Sequence, residues 1–367
     1  MPHILALVPY PPGRAPGQRY RIEQWAPLLE KEGLQVHLSA FLPVWGMEAL
    51  YQRGHFFTKS AATLLGCARR LKQIPSFGRY DALFVYREAM LLGPDWLERL
   101  AASRRPLVFD FDDATFLGDV SAANRWAGRL RPRGKAASLC RVAAHVTVGN
   151  ETLADFARRH ARLVTVIPST IDTTAYVPRP RPANPRPVVG WTGSTTTVRY
   201  LEALHPVLVE LRRVIDFEML VVGVPVDLPG IEVRYVPWNA DTEPDDLRPV
   251  DVGVMPLTDD EWSRGKSGMK ALQYMALGIP PVVSPVGVNA RIVADGKNGF
   301  HARDNEEWVR KLQLLLREPE LRRRLGEQGR RTVEQEYSAI VQVPRVADVL
   351  RRSILRASYG PEGSIER

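Results

Sequence analysis

Two short segments concentrate the groups that a diphosphate needs. The first is Arg264-Gly265-Lys266-Ser267-Gly268, which precedes an apolar-periodic stretch from Met269 to Leu277. Its two glycines let the backbone approach a ligand closely. A helix opening at Met269 would turn N–H groups and the positive end of its dipole toward a bound anion. Lys266 and Lys270 lie four apart and add charge on one side of that end. Gly265-Lys266-Ser267 resembles the end of a P-loop, but Asp260 stands where that motif needs its first glycine, which argues against an ATPase.

The second segment is Gly190-Trp191-Thr192-Gly193-Ser194-Thr195-Thr196-Thr197. Gly193, Ser194 and Thr195 ahead of a helical pattern form a second expected phosphate cradle, with Arg199 one turn in. Ser267, Gly268 and Met269 complete the first. Helix capping by the hydroxyls is the competing reading.

Two other segments suit an acceptor. Gly13-Arg14-Ala15-Pro16-Gly17-Gln18-Arg19-Tyr20-Arg21 follows the first apolar run and is not GxGxxG, so a nicotinamide-binding fold has little support. Gly13, Arg19 and Arg21 are expected to close over an anionic substrate, with plain surface solvation as the alternative. Asp110-Phe111-Asp112-Asp113 offers three carboxylates in four residues and invites a metal reading. Strand alternation puts Asp110 and Asp112 on one face. Asp112 is read as a general base or acceptor-orienting group, against simple capping of the next turn. With lysines to neutralise a diphosphate, no metal and no cofactor is expected.

These loops need strands and helices to position them. Apolar runs at His3–Val8, Val36–Phe41, Ala82–Tyr86, Leu107–Phe111, Val146–Val148 and Val164–Ile167 read as strands. Helical patterns lie between several of them. Tyr176–Pro187 then holds Pro178, Pro180, Pro182, Pro185 and Pro187, a composition that resists helix and sheet and suggests a stiff linker.

The second half repeats the grammar. Strands are expected at Val188–Trp191, Phe217–Val222, Val233–Val236, Val252–Met255 and Val282–Ser284, with helices at Val198–Val214 and Met269–Leu277. Asp304 and Glu307 form a capping box. Alternation of this kind means parallel sheets covered on both faces. The expected fold is α/β: two doubly wound Rossmann-like domains facing a cleft. The expected divisions are 1–175, a linker at 176–187, 188–340, and a C-terminal helical segment 341–367 packing back on the first domain.

Composition narrows the class. The chain has 367 residues, 45% hydrophobic and 25% charged, which excludes collagenous or wholly disordered chains. No run reaches the roughly 18 apolar residues of a membrane-spanning helix. The start lacks a basic segment and is not read as a signal peptide. Two cysteines, Cys67 and Cys140, fit a reducing compartment, so a cytoplasmic location is expected. A net charge of +9 suits phosphorylated partners such as nucleotide-linked substrates or anionic lipid, but no nucleic-acid motif accompanies it.

At Lys270-Ala271-Leu272-Gln273-Tyr274-Met275-Ala276-Leu277-Gly278-Ile279-Pro280-Pro281-Val282-Val283 the chain resembles the C-terminal signature of glycosyltransferase family 4, of GT-B fold. In that family E-A-M-A-x-G-x-P-V-V closes an E-x7-E motif. Other segments resemble the family in order: Val166-Ile167-Pro168-Ser169-Thr170-Ile171-Asp172, Gly190-Trp191-Thr192-Gly193-Ser194, Asp251-Val252-Gly253-Val254-Met255-Pro256, and Asp295-Gly296-Lys297-Asn298-Gly299-Phe300. The N-terminal half, with Tyr86-Arg87-Glu88 and Phe109 to Ala114, resembles a bacterial polysaccharide-assembly branch.

The resemblance implies a retaining transfer from a nucleotide-diphosphate sugar to a glycan, lipid-linked or small-molecule acceptor. Lys266 and Lys270 would stabilise the departing diphosphate. Gln273 would hold the ribose, and Arg87 with the Gly13–Arg21 loop and Asp112 would serve the acceptor. The departures are specific. Gln273 and Gly265 replace the two motif glutamates, Ser194 takes the place of a phosphate-binding arginine, and a family histidine falls near Asp112. They keep alive two alternatives: a non-catalytic sugar-nucleotide-binding protein and a nucleotide-sugar epimerase.

Phe56–Arg79, with Phe56, Phe57, Leu64, Leu65 and Leu71 beside Lys59, Arg69, Arg70 and Lys72, reads first as an ordinary surface helix. A basic amphipathic helix for the inner face of an anionic membrane is the competing reading.

Overall fold

A computed structural model describes residues 1–50, 52, 54–117, 134–180 and 184–359. The chain divides into two units: Met1–Ser169 with Gln342–Arg367, and Thr170–Val341.

Unit 1 is built on a parallel sheet of β1 (His3–Val8), β2 (Gln35–Ala40), β3 (Ala82–Tyr86), β4 (Leu107–Phe111), β5 (His145–Val148) and β6 (Val164–Val166), in the order β2-β1-β3-β4-β5-β6. The strands β3 and β4 are buried along their whole length, and β1 is buried from Ile4 to Val8. That burial is why they read as continuous apolar runs rather than alternating ones. At the edge, β2 carries Gln35, His37 and Ser39 and is only half-buried. Register is set from His3 opposite Gln35 to Val8 opposite Ala40, and from Ile4 opposite Ala82 on the other side.

Unit 2 repeats the plan with β7 (Val188–Thr192), β8 (Glu218–Gly223), β9 (Val233–Pro237), β10 (Val252–Met255), β11 (Pro281–Val283) and β12 (Phe300–His301), ordered β12-β11-β10-β7-β8-β9 and parallel throughout. Its core gathers Val189, Trp191, Leu208, Leu211, Val221, Val254 and Leu312 between sheet and helices. The helix Met269–Ala276 is locked behind the central strands by Tyr274. The Tyr274 hydroxyl donates to Gly190 O at 3.1 Å and accepts from Thr192 N at 3.2 Å. A side chain on Gly253 of β10 would overlap the Tyr274 ring, so the missing Cβ is what lets this helix lie close to the sheet.

Three features depart from the sequence reading. The helix expected at Val198–Val214 is two, Val198–Ala203 and His205–Arg212, because Pro206 cannot donate to the preceding turn. The turn at Asp295–Phe300 leads into a strand, β12, which has only two residues and no alternation to betray it. The change of unit falls between Ser169 and Thr170, ahead of the proline-rich stretch 176–187. In that stretch Tyr176 is buried within unit 2, and residues 181–183 lie outside the described ones. The C-terminal helix Ala339–Tyr359 joins unit 1 from Gln342 onward, where Arg345 donates to Val166 O at 2.8 Å.

Candidate functional site

In an open parallel sheet, ligands bind beyond the carboxyl ends of the strands where the strand order reverses. In unit 2 that point lies between β7 and β10. The loops that leave these two strands are the two diphosphate candidates.

After β7, Gly193 N donates to Val222 O at 3.0 Å and the chain turns back at once. Ser194 and Thr197 cap each other: Ser194 N donates to Thr197 Oγ1 at 3.0 Å, and Thr197 Oγ1 donates to Ser194 O at 3.1 Å. Ser194 Oγ lies 2.9 Å from Thr196 Oγ1. Part of the hydroxyl cluster therefore shapes its own turn, while Ser194 and Thr195 stay exposed. Arg199 reaches back over Tyr200, its guanidinium carbon 4.9 Å from the ring centre and Nη2 donating to the hydroxyl at 3.0 Å.

After β10, Asp260 caps the short helix Glu261–Arg264 by accepting from Ser263 N at 2.7 Å. The Asp260 carboxyl is pushed up by partial burial. The hydrogen bonds from Thr258 and Ser263, with the charge of Arg199, outweigh that and hold it below the ordinary value. Lys266 Nζ sits 5.4 Å from the Trp262 ring and 5.7 Å from the Tyr200 ring. Lys270 Nζ sits 5.5 Å from the Trp191 ring. Tyr200 joins the two loops, with its hydroxyl 3.0 Å from Ser263 Oγ. Arg199 and Lys266, far apart in sequence, thus share the Tyr200 ring, while Lys270, one turn on from Lys266, lies over Trp191.

Between them the helix Met269–Ala276 begins at Gly268, which has φ 71° and no capping side chain. A side chain there would meet Ile292 and Val288, so glycine serves both the left-handed turn and the close packing of the helix start. Ser267 and Met269 are half-buried beside it.

Gln273 lies deeper than the sequence suggests. It is 3% exposed, and its Nε2 donates to Glu243 Oε1 at 2.8 Å and to the Tyr176 hydroxyl at 3.2 Å. Glu243 also accepts from Tyr176 Oη at 2.7 Å and Trp238 Nε1 at 2.9 Å. The sequence reading missed Tyr176 and Glu243, which lie 97 and 30 residues from Gln273. A glutamate in the first turn of a helix gives no sign that it faces inward.

Unit 1 has its own cluster beyond β3 and β4. Arg87, at φ 58°, follows β3, and its backbone N–H donates to Asp110 O at 2.7 Å. Its guanidinium donates to Asp112 Oδ1 from Nε at 3.0 Å and Nη2 at 2.8 Å, and to Asp113 Oδ2 at 3.1 Å. Tyr86 Oη donates to the same Asp112 oxygen at 2.8 Å. Gly17 seats its loop against this cluster: a Cβ on it would lie 2.7 Å from Tyr86 Oη, 3.0 Å from Arg87 and 3.1 Å from Asp112.

Two expectations are corrected here. Asp112, 3% exposed, directs Oδ1 at three donors, so it anchors Arg87 instead of standing open as a base. Burial pushes its carboxyl up, and Arg87, Arg21 and the Tyr86 hydroxyl outweigh that, leaving it below the usual range. Arg21 is fully buried. Its Nε donates to Asp110 Oδ2 at 3.0 Å, and its other nitrogens bond Asp110 Oδ1 and Ile167 O. Thr147 Oγ1 completes Asp110 at 2.6 Å. Arg21 is therefore a core ion pair and not an acceptor contact. Gly13 N donates to Glu23 Oε2 at 2.8 Å, and Arg19 Nη2 to the Tyr20 hydroxyl at 2.7 Å. Both carboxylates of the Asp110/Asp112 pair face arginines.

The helix Phe56–Gln73 exposes Phe56, Phe57, Leu64, Leu65 and Leu71, with Phe57 87% exposed. Its expected basic face is halved. Lys59 is buried and donates to Gln52 O at 2.7 Å. Arg70 is fully buried and donates to Ala89 O at 2.9 Å, Val8 O at 3.0 Å and Ser39 O at 2.9 Å. It ties together the outgoing ends of β1 and β2 and the loop after β3. Burial draws its guanidinium down to about 10. Among the described residues no helix is long and apolar enough to cross a membrane.

Residues 247–332 match the family model of glycosyl transferases group 1. The chain is 33% identical over 84 residues to EpsD of Bacillus subtilis (strain 168), described as a glycosyltransferase. That match spans 22% of this chain and 22% of EpsD. Solved structures match far more of it. Sucrose-phosphate synthase of Thermosynechococcus elongatus superposes with a TM-score of 0.69 at 15% identity, over 97% of this chain and 100% of that one. A glycosyltransferase of Rickettsia africae gives 0.68 at 14% identity, over 96% and 98%. Anabaena HepE, solved with UDP and glucose, gives 0.67 at 16% identity, over 96% and 100%. Two six-stranded parallel sheets and the superposition on these structures give this chain the GT-B fold, and residues 247–332, which carry the loop and helix start at the reversal of the second sheet, match the glycosyl transferases group 1.

Proposed function

We propose that this protein is a retaining glycosyltransferase that moves a sugar from a nucleotide-diphosphate sugar to a glycan, lipid-linked or small-molecule acceptor without a metal. One observation carries the reading: the loops and helix that follow β7 and β10, the strands at the sheet reversal of unit 2, carry Arg199 and Lys266 on Tyr200 and Lys270 on Trp191, with a helix start that no side chain caps. As the bond from sugar to diphosphate breaks, negative charge grows on the leaving diphosphate. Cations and N–H groups already held in place stabilise that charge without reorganising, commonly the largest catalytic contribution. Their charge also replaces what a divalent ion would supply. Support for the donor class comes from HepE, whose structure holds UDP and glucose. Retention of configuration rests on the family resemblance. Arg87, held by Asp112, is the group we assign to the acceptor.

The departures at Gly265 and Gln273 favour one second reading, binding of a nucleotide sugar without transfer. Thermal shifts against a panel of nucleoside diphosphates and their sugars, with and without magnesium, test the first step, because a ligand of the native state raises its apparent stability. A shift with one base, independent of magnesium, is the expected result; no shift at millimolar ligand would break the donor assignment. Release of nucleoside diphosphate that depends on an added acceptor then separates an enzyme from a sensor.

For the acceptor we favour a lipid-linked molecule, reached from a membrane surface through the apolar side of the helix Phe56–Gln73. Flotation with anionic vesicles is expected to carry the protein upward, and replacement of Phe56 and Phe57 by serine to leave it at the bottom. Wild-type protein that stays at the bottom removes this part of the reading.

A further inference from the structure

The two loops of the proposed donor site meet through one tyrosine. Tyr200 is 3% exposed and Ser263 1%, and their hydroxyls lie 3.0 Å apart across 63 residues of chain. Arg199 Nη2 donates to the same Tyr200 oxygen at 3.0 Å, and the Ser263 hydroxyl bonds the Asp260 carboxyl. The two ends of this row of groups fix its direction. A guanidinium only donates hydrogen bonds, and a carboxylate only accepts them. Tyr200 therefore accepts from Arg199 and gives its own proton to Ser263, which gives its proton to Asp260. A charged partner at each end strengthens the bonds between.

The same row places two cations. Arg199 and Lys266 lie 4.9 and 5.7 Å from the centre of the Tyr200 ring, within reach of a cation–π contact. Lys266 N donates to Ser263 O at 3.1 Å, so the residue that receives the Tyr200 proton also holds the Lys266 backbone. Two like charges that share one ring repel each other. The ring face and the Asp260 carboxylate, on which the charge of Arg199 acts, offset that repulsion before any anion arrives.

We infer that Tyr200 is a positioning residue for the diphosphate: through Ser263 it ties the loop after β7 to the loop after β10, so that Arg199 and Lys266 take the phosphates together. The inference rests on the donor-site reading above and adds to it the contact that makes one site of two loops. Tyr200 and Ser263 need not touch the ligand to do this. Loss of either hydroxyl breaks the same link, so loss of both should cost no more than loss of one.

The test is a cycle of Tyr200→Phe, Ser263→Ala and the double variant in the full-length protein. Two readouts are taken: the unfolding midpoint without ligand, and dissociation constants for UDP and for uridine, with the ADP–adenosine and GDP–guanosine pairs run in parallel. The wild type is expected to bind one nucleoside diphosphate about 100-fold or more tighter than its nucleoside, as two hydrogen bonds between charged groups would give. Tyr200→Phe keeps the ring and is expected to cut that preference about tenfold, with nucleoside affinity unchanged. Ser263→Ala is expected to match it, and the double variant to lose no more than either single one.

Full diphosphate preference in Ser263→Ala overturns the link between the loops. Equal losses for nucleoside and diphosphate show a merely structural contact and overturn the positioning role. So does a double variant whose loss of preference is the sum of the two single losses. Failure of the wild type to bind any of the three nucleoside diphosphates overturns the donor-site reading itself, and is told apart because the midpoints of the cycle still report whether Tyr200 and Ser263 are coupled.

Discussion

Arg87 and Asp112 are joined through two nitrogens of one guanidinium and one carboxylate oxygen, at 3.0 and 2.8 Å, from a backbone that puts Arg87 at φ 58°. A non-glycine residue in the left-handed region is uncommon and costs free energy that the surroundings must offset. Here the ion pair and the Arg87 N–H bond to Asp110 O offset it. Asp112→Asn should weaken this arrangement. Breaking a fully buried pair costs about 3–5 kcal/mol. Arg87 is 23% exposed and keeps Asp113, so a loss of about 1–3 kcal/mol is expected, read from urea midpoints.

The same variant should flatten the acid limb of stability. The Asp112 carboxyl titrates below its unfolded value, so its contribution is complete above that value and is lost as pH falls through the folded one. Equal acid sensitivity in Asp112→Asn and wild type would contradict the assignment. Nucleoside diphosphate affinity, which we assign to unit 2, should be unchanged.

His145 behaves oppositely to a surface histidine. Burial, then the charges of Arg356 and Arg352, lower it to about 4. The imidazole is neutral in the native state and must be charged in the unfolded chain once pH drops below about 6.5. Stability from this group is present above that value and is lost between about 6.5 and 4. At 1.36 kcal/mol per unit the loss approaches about 3 kcal/mol. Unfolding measured from pH 7.5 to 4.5 should show it in wild type and not in His145→Gln.

Lys270→Ala should remain folded and lose about 100–1000-fold in turnover, the usual cost of removing one preorganised donor to a developing negative charge. Its contact with Trp191 adds only about 0.5–1 kcal/mol to stability, so the melting temperature should move little. Near-normal turnover with the donor saturating would sink the role given to this lysine.

Gly223→Ala tests how the Gly193 loop is held. Gly223 has φ 128°, and a Cβ there would overlap the carbonyl oxygen of Gly193, a backbone atom that cannot swing aside. The conformation alone costs a side chain about 1–3 kcal/mol. Both the unfolding midpoint and nucleoside diphosphate affinity should fall. A stable variant with intact affinity would mean that the turn after β7 takes no part in binding.

What the amino-acid sequence determined is the local order. Apolar runs three to six residues long, separated by helical periodicity, specify parallel strands, of which the central ones are buried on both faces. Most expected strand limits fall within a residue or two of the observed ones, as at His3–Val8, Ala82–Tyr86 and Val252–Met255. The loops that follow those strands were legible because glycines, hydroxyls and lysines stand out beside apolar runs.

Only the tertiary structure decided which way the polar side chains face. Arg21 sits in a stretch whose backbone leaves helical geometry, at φ −118° and ψ −113°, and that turns its guanidinium inward to Asp110, 89 residues away. Arg70 and Lys59 share a helix with exposed phenylalanines, yet point to strand-end and loop carbonyls. Gln273 reads as a ligand contact on its own and as one end of a buried pair once Glu243 is beside it. Periodicity reports which face of an element is apolar. It carries no record of the distant partner that makes burial of a charge or an amide affordable, because that partner is set by how sheets and helices pack and not by neighbours in the chain.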